Sequence, residues 1–261
     1  MLFNQAFVLL TNKHSYEVIN LYGMLLNATK KFGETFIIYH RTTAAIPDEI
    51  RKTRHHSFTN DILTNLNLKP IANGLIPGSC HFPLLDFYLR YPYFDYYWFT
   101  EDDVTFHGDW KHLFDLYSNN MSDFIACHIR THSEEPNWHW WNSLSHPDKF
   151  IPEKLRLRCF NPFFRISNAA LKFIYHAQTN KWQGHNEVLF PTLLFLEGYQ
   201  ISDFGGNGQF VLKDMENAIY VDAHSGTDGY LASGTMRYRP PITDHELTFN
   251  KLHHPFKFRN I

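Results

Sequence analysis

A disulfide scaffold is the first thing missing from this 261-residue chain. Its three cysteines, Cys80, Cys127 and Cys159, are odd in number and far apart, which fits neither a bridged framework nor zinc-ligand spacing. Free thiols in a reducing cytosol are the expectation, and with them a cytoplasmic location. Long apolar runs are missing as well: none approaches the ~20 residues of a membrane span. The short apolar run in the first ten residues has no basic flank before it and no small-residue cleavage site after it, so a leader is not expected there. We therefore expect a soluble, untargeted chain without a transmembrane segment, and leave peripheral membrane contact open. An excess of one charge is absent too. Lys and Arg total 24 against 26 Asp and Glu, a formal charge of −2, so no broad basic surface announces a nucleic acid. Finally, no Gly-x-x-x-x-Gly-Lys loop and no Gly-x-Gly-x-x-Gly fingerprint follows the first apolar run, which argues against an NTPase or a nicotinamide enzyme.

What is abundant is aromatic: 17% of residues are Phe, Trp or Tyr, and there are 17 histidines, more than core packing calls for. Aromatic faces with polar handles suit sugar rings as well as cores. The run Ala6-Phe7-Val8-Leu9-Leu10 predicts a buried strand. Ser15 can cap a helix in which Val18, Leu21, Tyr22 and Leu25 recur at helical spacing, with Gly33 where a helix end wants a left-handed residue. A strand over 35–39 follows, and strand–helix–strand marks a mostly parallel sheet with crossover helices. Further on we expect helices over 47–52, 82–91, 110–117 (capped by Asp109), 168–177 (capped by Ser167) and 187–196. Strands are expected over 96–100, 124–129 and 163–166, and a long loop over 131–145. Pro191 falls inside the last helix and should bend or restart it.

The aromatic strand Tyr96-Tyr97-Trp98-Phe99-Thr100 ends on Glu101-Asp102-Asp103. Ligands of α/β sheets bind beyond the carboxyl ends of the strands. Three adjacent carboxylates repel one another, and a hard divalent cation relieves that by taking oxygens from two of them and from a substrate phosphate. Alternate residues, Glu101 and Asp103, can reach one ion. The plain alternative is a solvated acidic turn leading into a capped helix. Apolar Val104 and Phe106 after the motif embed the acids and favour the functional reading.

The stretch Tyr91-Pro92-Tyr93-Phe94-Asp95-Tyr96-Tyr97-Trp98-Phe99-Thr100-Glu101-Asp102-Asp103-Val104, followed by Gly108-Asp109-Trp110, resembles the Asp-X-Asp region of GT-A glycosyltransferases, bacterial-type ones in particular. The resemblance implies a GT-A-like (Rossmann-like) α/β fold in one domain: a mixed, mostly parallel sheet flanked by helices. The nucleotide-binding half would span about 1–110 and the acceptor half about 111–261. It also implies a nucleotide diphosphate sugar as donor, a glycan or glycolipid hydroxyl as acceptor, and Mn²⁺ or Mg²⁺ as cofactor. By resemblance Asp103 ligates the metal and Glu101 contacts the ribose or the metal, with Asp102 counted among the donor contacts. Glu at the first position departs from the family's Asp and loosens the metal assignment. Thr11 and Arg41, at the ends of the first two strands, fall near the base and ribose.

Downstream, Gly184-His185-Asn186-Glu187-Val188 lies where inverting members of the family carry the general base, which makes Glu187 the catalytic candidate. The competing role is an acid that complements the positive end of its helix. The tail Lys251-Leu252-His253-His254-Pro255 resembles the histidine-bearing segment that supplies a third metal ligand. Either histidine could serve, and His254 is the choice. Trp138, Trp140 and Trp141 offer an acceptor-sugar platform, against the alternative that at least one is folded into a satellite core. Arg130 follows a strand and is a candidate to face the cleft. Asp203-Phe204-Gly205-Gly206 resembles a kinase element only by accident, since its partner signatures are missing. Two other function classes remain alongside the glycosyltransferase. One is a metal-dependent phosphohydrolase or nucleotidyltransferase using the same acids, and the other a non-catalytic carbohydrate-binding protein.

Overall fold

Residues 3–43 and 45–257 are described here from a computed structural model of the chain. The opening apolar run forms β1 (Gln5–Thr11), helix α1 (Tyr16–Thr29) crosses over, and β2 (Gly33–His40) returns parallel to β1. Gly33 is not a helix cap. It opens β2 opposite Gln5, so close that a Cβ there would collide with the Gln5 carbonyl. α1 ends earlier, with Lys30 still in the right-handed helical region, and Ser15 stands at its N-cap without a side-chain capping bond. Then follow α2 (Asp48–Arg51), β3 (His55–Phe58), α3 (Ile62–Asn65), α4 (Phe82–Arg90), β4 (Tyr96–Glu101), β5 (Thr105–Phe106) and α5 (Trp110–Leu116). The remainder is β6 (Phe124–Thr131), β7 (Leu157–Ser167), α6 (Asn168–Thr179), α7 (Asn186–Leu196), β8 (Ile201–Asp203) and β9 (Leu252–His253).

Seven strands make one sheet in the order β3-β2-β1-β4-β7-β6-β8, and β5 pairs with β9 in a small second one. β1, β2, β3 and β4 run parallel, as do β6 and β8, while β7 lies antiparallel between β4 and β6. The sheet is therefore mixed, mostly parallel and flanked by helices. Side chains alternate across it. Ala6, Val8, Tyr97 and Phe99 join α4, α6 and α7 on one face, while Phe7, Leu9 and Trp98 pack with α1 and α5 on the other. None of the described helices is long and apolar enough to cross a membrane. All three cysteines are free.

β7 is much longer than the four-residue strand its apolar run predicts, and it is buried throughout. The interruptions that hide it from a pattern search each have a physical resolution. Arg165 donates to the carbonyls of Tyr117 (3.0 Å), Asn120 (2.8 Å) and Ser122 (3.0 Å) and lies 4.2 Å over the Tyr96 ring. Arg158 pairs with Glu135 at 2.7 Å. The pairing with β6 jumps from Ile125–Arg165 to Cys127–Phe160, a bulge that accommodates Pro162. Because β7 runs against β4, Phe163 sits opposite Thr100, Pro162 comes level with Glu101, and Asn161 lies beyond the end of β4.

Pro191 neither breaks nor restarts α7, which runs through it. A proline cannot donate to the carbonyl four residues back, here that of Glu187. That carbonyl lies 3.5 Å from the Cys159 sulfur, whose one proton has a closer acceptor in Asn161 Oδ1 at 2.9 Å.

Candidate active site

β4 delivers Glu101 to the carboxyl end of the sheet, and the turn through Asp102 and Asp103 closes with the Val104 N–H donating to the Glu101 carbonyl (3.2 Å). Buried Val104 anchors the turn and leads into β5. β5 pairs antiparallel with β9, Thr105 against His253, and the Phe256 N–H donates to the Asp103 carbonyl at 2.7 Å. The tail is thereby strapped along the acidic turn. His254 Nε2 comes within 3.4 Å of Asp103 Oδ1 and 3.8 Å of Glu101 Oε2. Its Nδ1–H donates to the Arg237 carbonyl at 2.8 Å, which aims Nε2 at the acids. His253 faces the other way: it is fully buried, and its Nε2 accepts from the Thr248 N–H (2.9 Å). Of the two tail histidines, His254 is the one that meets the motif.

Burial raises the Glu101 carboxyl to about 7, with His254 opposing and the charges of Asp103 and Glu187 adding to the rise. Its side chain is 31% exposed, so water in the cavity relieves part of that burial. For Asp103, burial works upward, but the hydrogen bond and charge of His254 outweigh it and the group ends below the usual carboxylate range. For His254, burial works downward while Asp103 and Glu101 raise it, and the rise wins. The three form a coupled cluster in which a proton on His254 compensates the acids. Asp102 points elsewhere. It accepts from the Thr11 hydroxyl and pairs with Lys13 at 2.7 Å, tying the motif to the end of β1.

Glu101, Asp103 and His254 each offer one ligand atom, all within 4.8 Å of one another. Ligands bonded to one cation at about 2.1 Å stand roughly 3.0–3.4 Å apart. The His254–Asp103 separation of 3.4 Å already matches, while the 3.8 Å from His254 to Glu101, in a set that lies within 4.8 Å overall, has to close on an ion. Two hard oxygens, one imidazole nitrogen and an outer carbonyl fixing that imidazole are chemistry a divalent ion accepts.

This cluster lines a cavity of about 730 Å³ that also holds Glu187, Trp138, Trp140 and Arg158. Glu187 opens α7. Its own N–H is accepted by the capping His185 imidazole (3.3 Å), and its Oε1 accepts the Asn161 N–H (3.2 Å). Burial pushes its carboxyl up to about 7 against Arg158, Asn161 and His254, which lower it. His185 is held neutral, burial and then Arg158 pulling it down to about 3, and it stacks on Trp140 at 5.0 Å.

The tryptophans divide. Trp141 is in the core with its indole N–H on the Glu135 carbonyl (2.8 Å), and Trp138 stands edge-on against it at 5.2 Å with one face toward Arg158. Trp140 is the half-exposed ring. Arg41 lines a separate, shallower cavity of about 430 Å³ with His40, Thr42, Thr43, Thr59, Asn60 and Asp61. Arg130 does not face the cleft: it is buried, donates to the Asn207 carbonyl and pairs with Asp222 at 2.5 Å. Asp203 of the kinase-like tetrad accepts the Gly205 and Gly206 N–H groups (both 2.9 Å) and so serves the fold. Sequence reasoning missed Arg158, Asn161, His185 and Asn186, all of which line the main cavity. For Arg158 and Asn161 the available signal was the charged and amide residues interrupting β7, since a polar residue inside a central strand must have a partner or a task.

No protein-family model matches the chain, and no curated protein does either.

Proposed function

We propose that this protein is a nucleotide-sugar-dependent glycosyltransferase of the GT-A type, moving a sugar from a nucleotide diphosphate sugar to a glycan or glycolipid hydroxyl with inversion. The observation that carries the reading is one cavity lined by Glu101, Asp103, His254 and Glu187, with the half-exposed Trp140 on its wall. The mixed, mostly parallel sheet and the position of the acids at the end of β4 support it. We assign the reaction to the cytosol, in keeping with the free thiols.

Glu101, Asp103 and His254 would hold Mn²⁺ or Mg²⁺, which when bound supplies positive charge to the departing diphosphate. Arg239 and Lys257, exposed residues of the same cavity, complement that charge from the mouth. Glu187 accepts the acceptor hydroxyl's proton. Its pKa of about 7 puts it near the optimum for a base at neutral pH. The Asn161 N–H fixes the orientation of the carboxylate, leaving its second oxygen for the substrate. Trp140 offers a flat face to a pyranose.

The test is a thermal-shift screen of nucleotide sugars with and without Mn²⁺, followed by transfer assays on the stabilising donor. Metal-dependent stabilisation by one nucleotide class is expected. Phosphate release without an acceptor would favour the phosphohydrolase, and silence across all nucleotides would sink the proposal. An anomeric product matching the donor would remove Glu187 from the base role.

A further inference from the structure

Among the buried polar groups of the cavity, two amides stand out. Asn161 and Asn186 are 2% and 1% exposed, and both line the cavity. Each spends one arm of its amide on a thiol. Asn161 Oδ1 accepts from Cys159 Sγ at 2.9 Å, and Asn186 Nδ2 donates to Cys80 Sγ at 3.5 Å. The other arms, Asn161 Nδ2 and Asn186 Oδ1, have no hydrogen-bond partner among the described residues. Thiols are weak partners on either side of a hydrogen bond. Whichever way each amide is turned, a strong donor or acceptor is left over. Buried polar atoms without partners are rare because each carries a desolvation penalty, and a ligand that completes them removes it.

Their location says which ligand. Asn161 holds Glu187 by its backbone N–H, and Asn186 precedes Glu187 at the start of α7. Cys80, bonded to Asn186, lines the cavity together with Glu101 and Glu187. Both amides thus adjoin the base within the cavity that also holds the acidic cluster. In an inverting transfer the migrating ring must lie between the group that holds the diphosphate and the base that activates the nucleophile.

We propose that Asn161 and Asn186 are amide readers for hydroxyl groups of the transferred sugar, so that the donor is a fully hydroxylated sugar and not a deoxy sugar. A hydroxyl both donates and accepts, which suits a cavity that offers one orphan donor and one orphan acceptor. The inference rests on the nucleotide-sugar reading of the cavity and adds its specificity. A site built to bond a hydroxyl rejects the analogue lacking it far more strongly than an apolar pocket rejects a missing methylene.

The experiment compares wild type, Asn161→Leu and Asn186→Leu, with Asn161→Asp as a second variant that keeps the side-chain shape and turns the donor into an acceptor. Uridine, guanosine, cytidine and thymidine diphosphates and their hexose conjugates are added with Mn²⁺, and the thermal shift of each conjugate is set against that of its bare diphosphate. Wild type should gain from the sugar. The variants should keep the response to the diphosphate and lose the sugar increment, a roughly tenfold to hundredfold loss of conjugate affinity. Melting temperatures of the two Leu variants without ligand should hold or rise, because an orphan polar atom has gone. A sugar increment retained in the variants overturns the inference. If wild type answers no nucleotide, the donor reading falls by itself, and saturation-transfer NMR with free glucose, galactose, mannose and their deoxy counterparts decides the pair. Hexose signals lost in Asn161→Leu would keep it, and absence of signals in wild type would end it.

Discussion

Replacing Glu187 by Gln should stabilise the metal-free protein at alkaline pH while it removes the base. Burial lifts the Glu187 carboxyl from 4.5 to about 7, and its side chain is only 13% exposed. Below pH 4.5 the group is neutral in both folded and unfolded chains, and wild type and variant differ little. Between 4.5 and about 7 the unfolded chain ionises first, so the folded chain binds more protons and wild-type stability falls as pH rises. Above about 7 the loss is complete. At roughly 1.4 kcal/mol per pKa unit the shift from 4.5 to about 7 is worth about 3 kcal/mol, which Gln is spared. For a chain of this size that corresponds to roughly 6 °C in Tm. Gln keeps an oxygen for the Asn161 N–H, and removing the charge also relaxes Glu101, whose carboxyl Glu187 helps to raise. The assay is thermal unfolding in EDTA at pH 5 and pH 8 for both proteins. Expected is a variant whose advantage grows by several degrees between the two buffers. Equal pH dependence in the two proteins would refute the argument that this carboxylate is buried against its own charge.

Three further expectations are simpler to check. Asp103→Asn and His254→Ala should each abolish the rise in Tm caused by Mn²⁺ in wild type while leaving the circular dichroism spectrum unchanged. Trp141→Ala should cost about 3–5 kcal/mol in urea unfolding, whereas Trp140→Ala should leave stability within about 1 kcal/mol and raise KM for the acceptor. Arg158→Met should cost about 3–5 kcal/mol by stranding the buried Glu135 carboxylate, and adding Glu135→Leu should recover a good part of it. A single cost equal in both backgrounds would show that the pair is not coupled.

The elements that were legible in the sequence are those in which pattern and environment agree. The first βαβ unit and the aromatic strand β4 are apolar where they are buried, so periodicity finds them. β7 failed that test because its core positions include Arg158, Asn161, Pro162 and Arg165; the two arginines find partners far away in sequence and the proline a bulge against β6. The same cause hid part of the cavity. Acids at a strand end can be seen from local sequence, but the approach of Asn161 to Glu187 depends on β7 running antiparallel beside β4. Which of His253 and His254 approaches the acids likewise depends on the β5–β9 pairing, which sends neighbouring side chains to opposite faces.

That small two-stranded sheet has a consequence for how the cluster is assembled. Glu101 and Asp103 are fixed as soon as β4 takes its place in the large sheet, whereas His254 arrives only when the tail docks on β5. Closing so long a stretch of chain has an entropic cost that two ladder residues offset only in part. A cation bridging His254 to the acids would share that cost, so its affinity and the docking of the tail are one equilibrium. Occupancy at the acidic turn should then slow amide hydrogen exchange at Leu252, His254 and Phe256, whose N–H groups bond to Ile219, Thr235 and Asp103. The last strand would serve as a clasp that the ion itself helps to fasten.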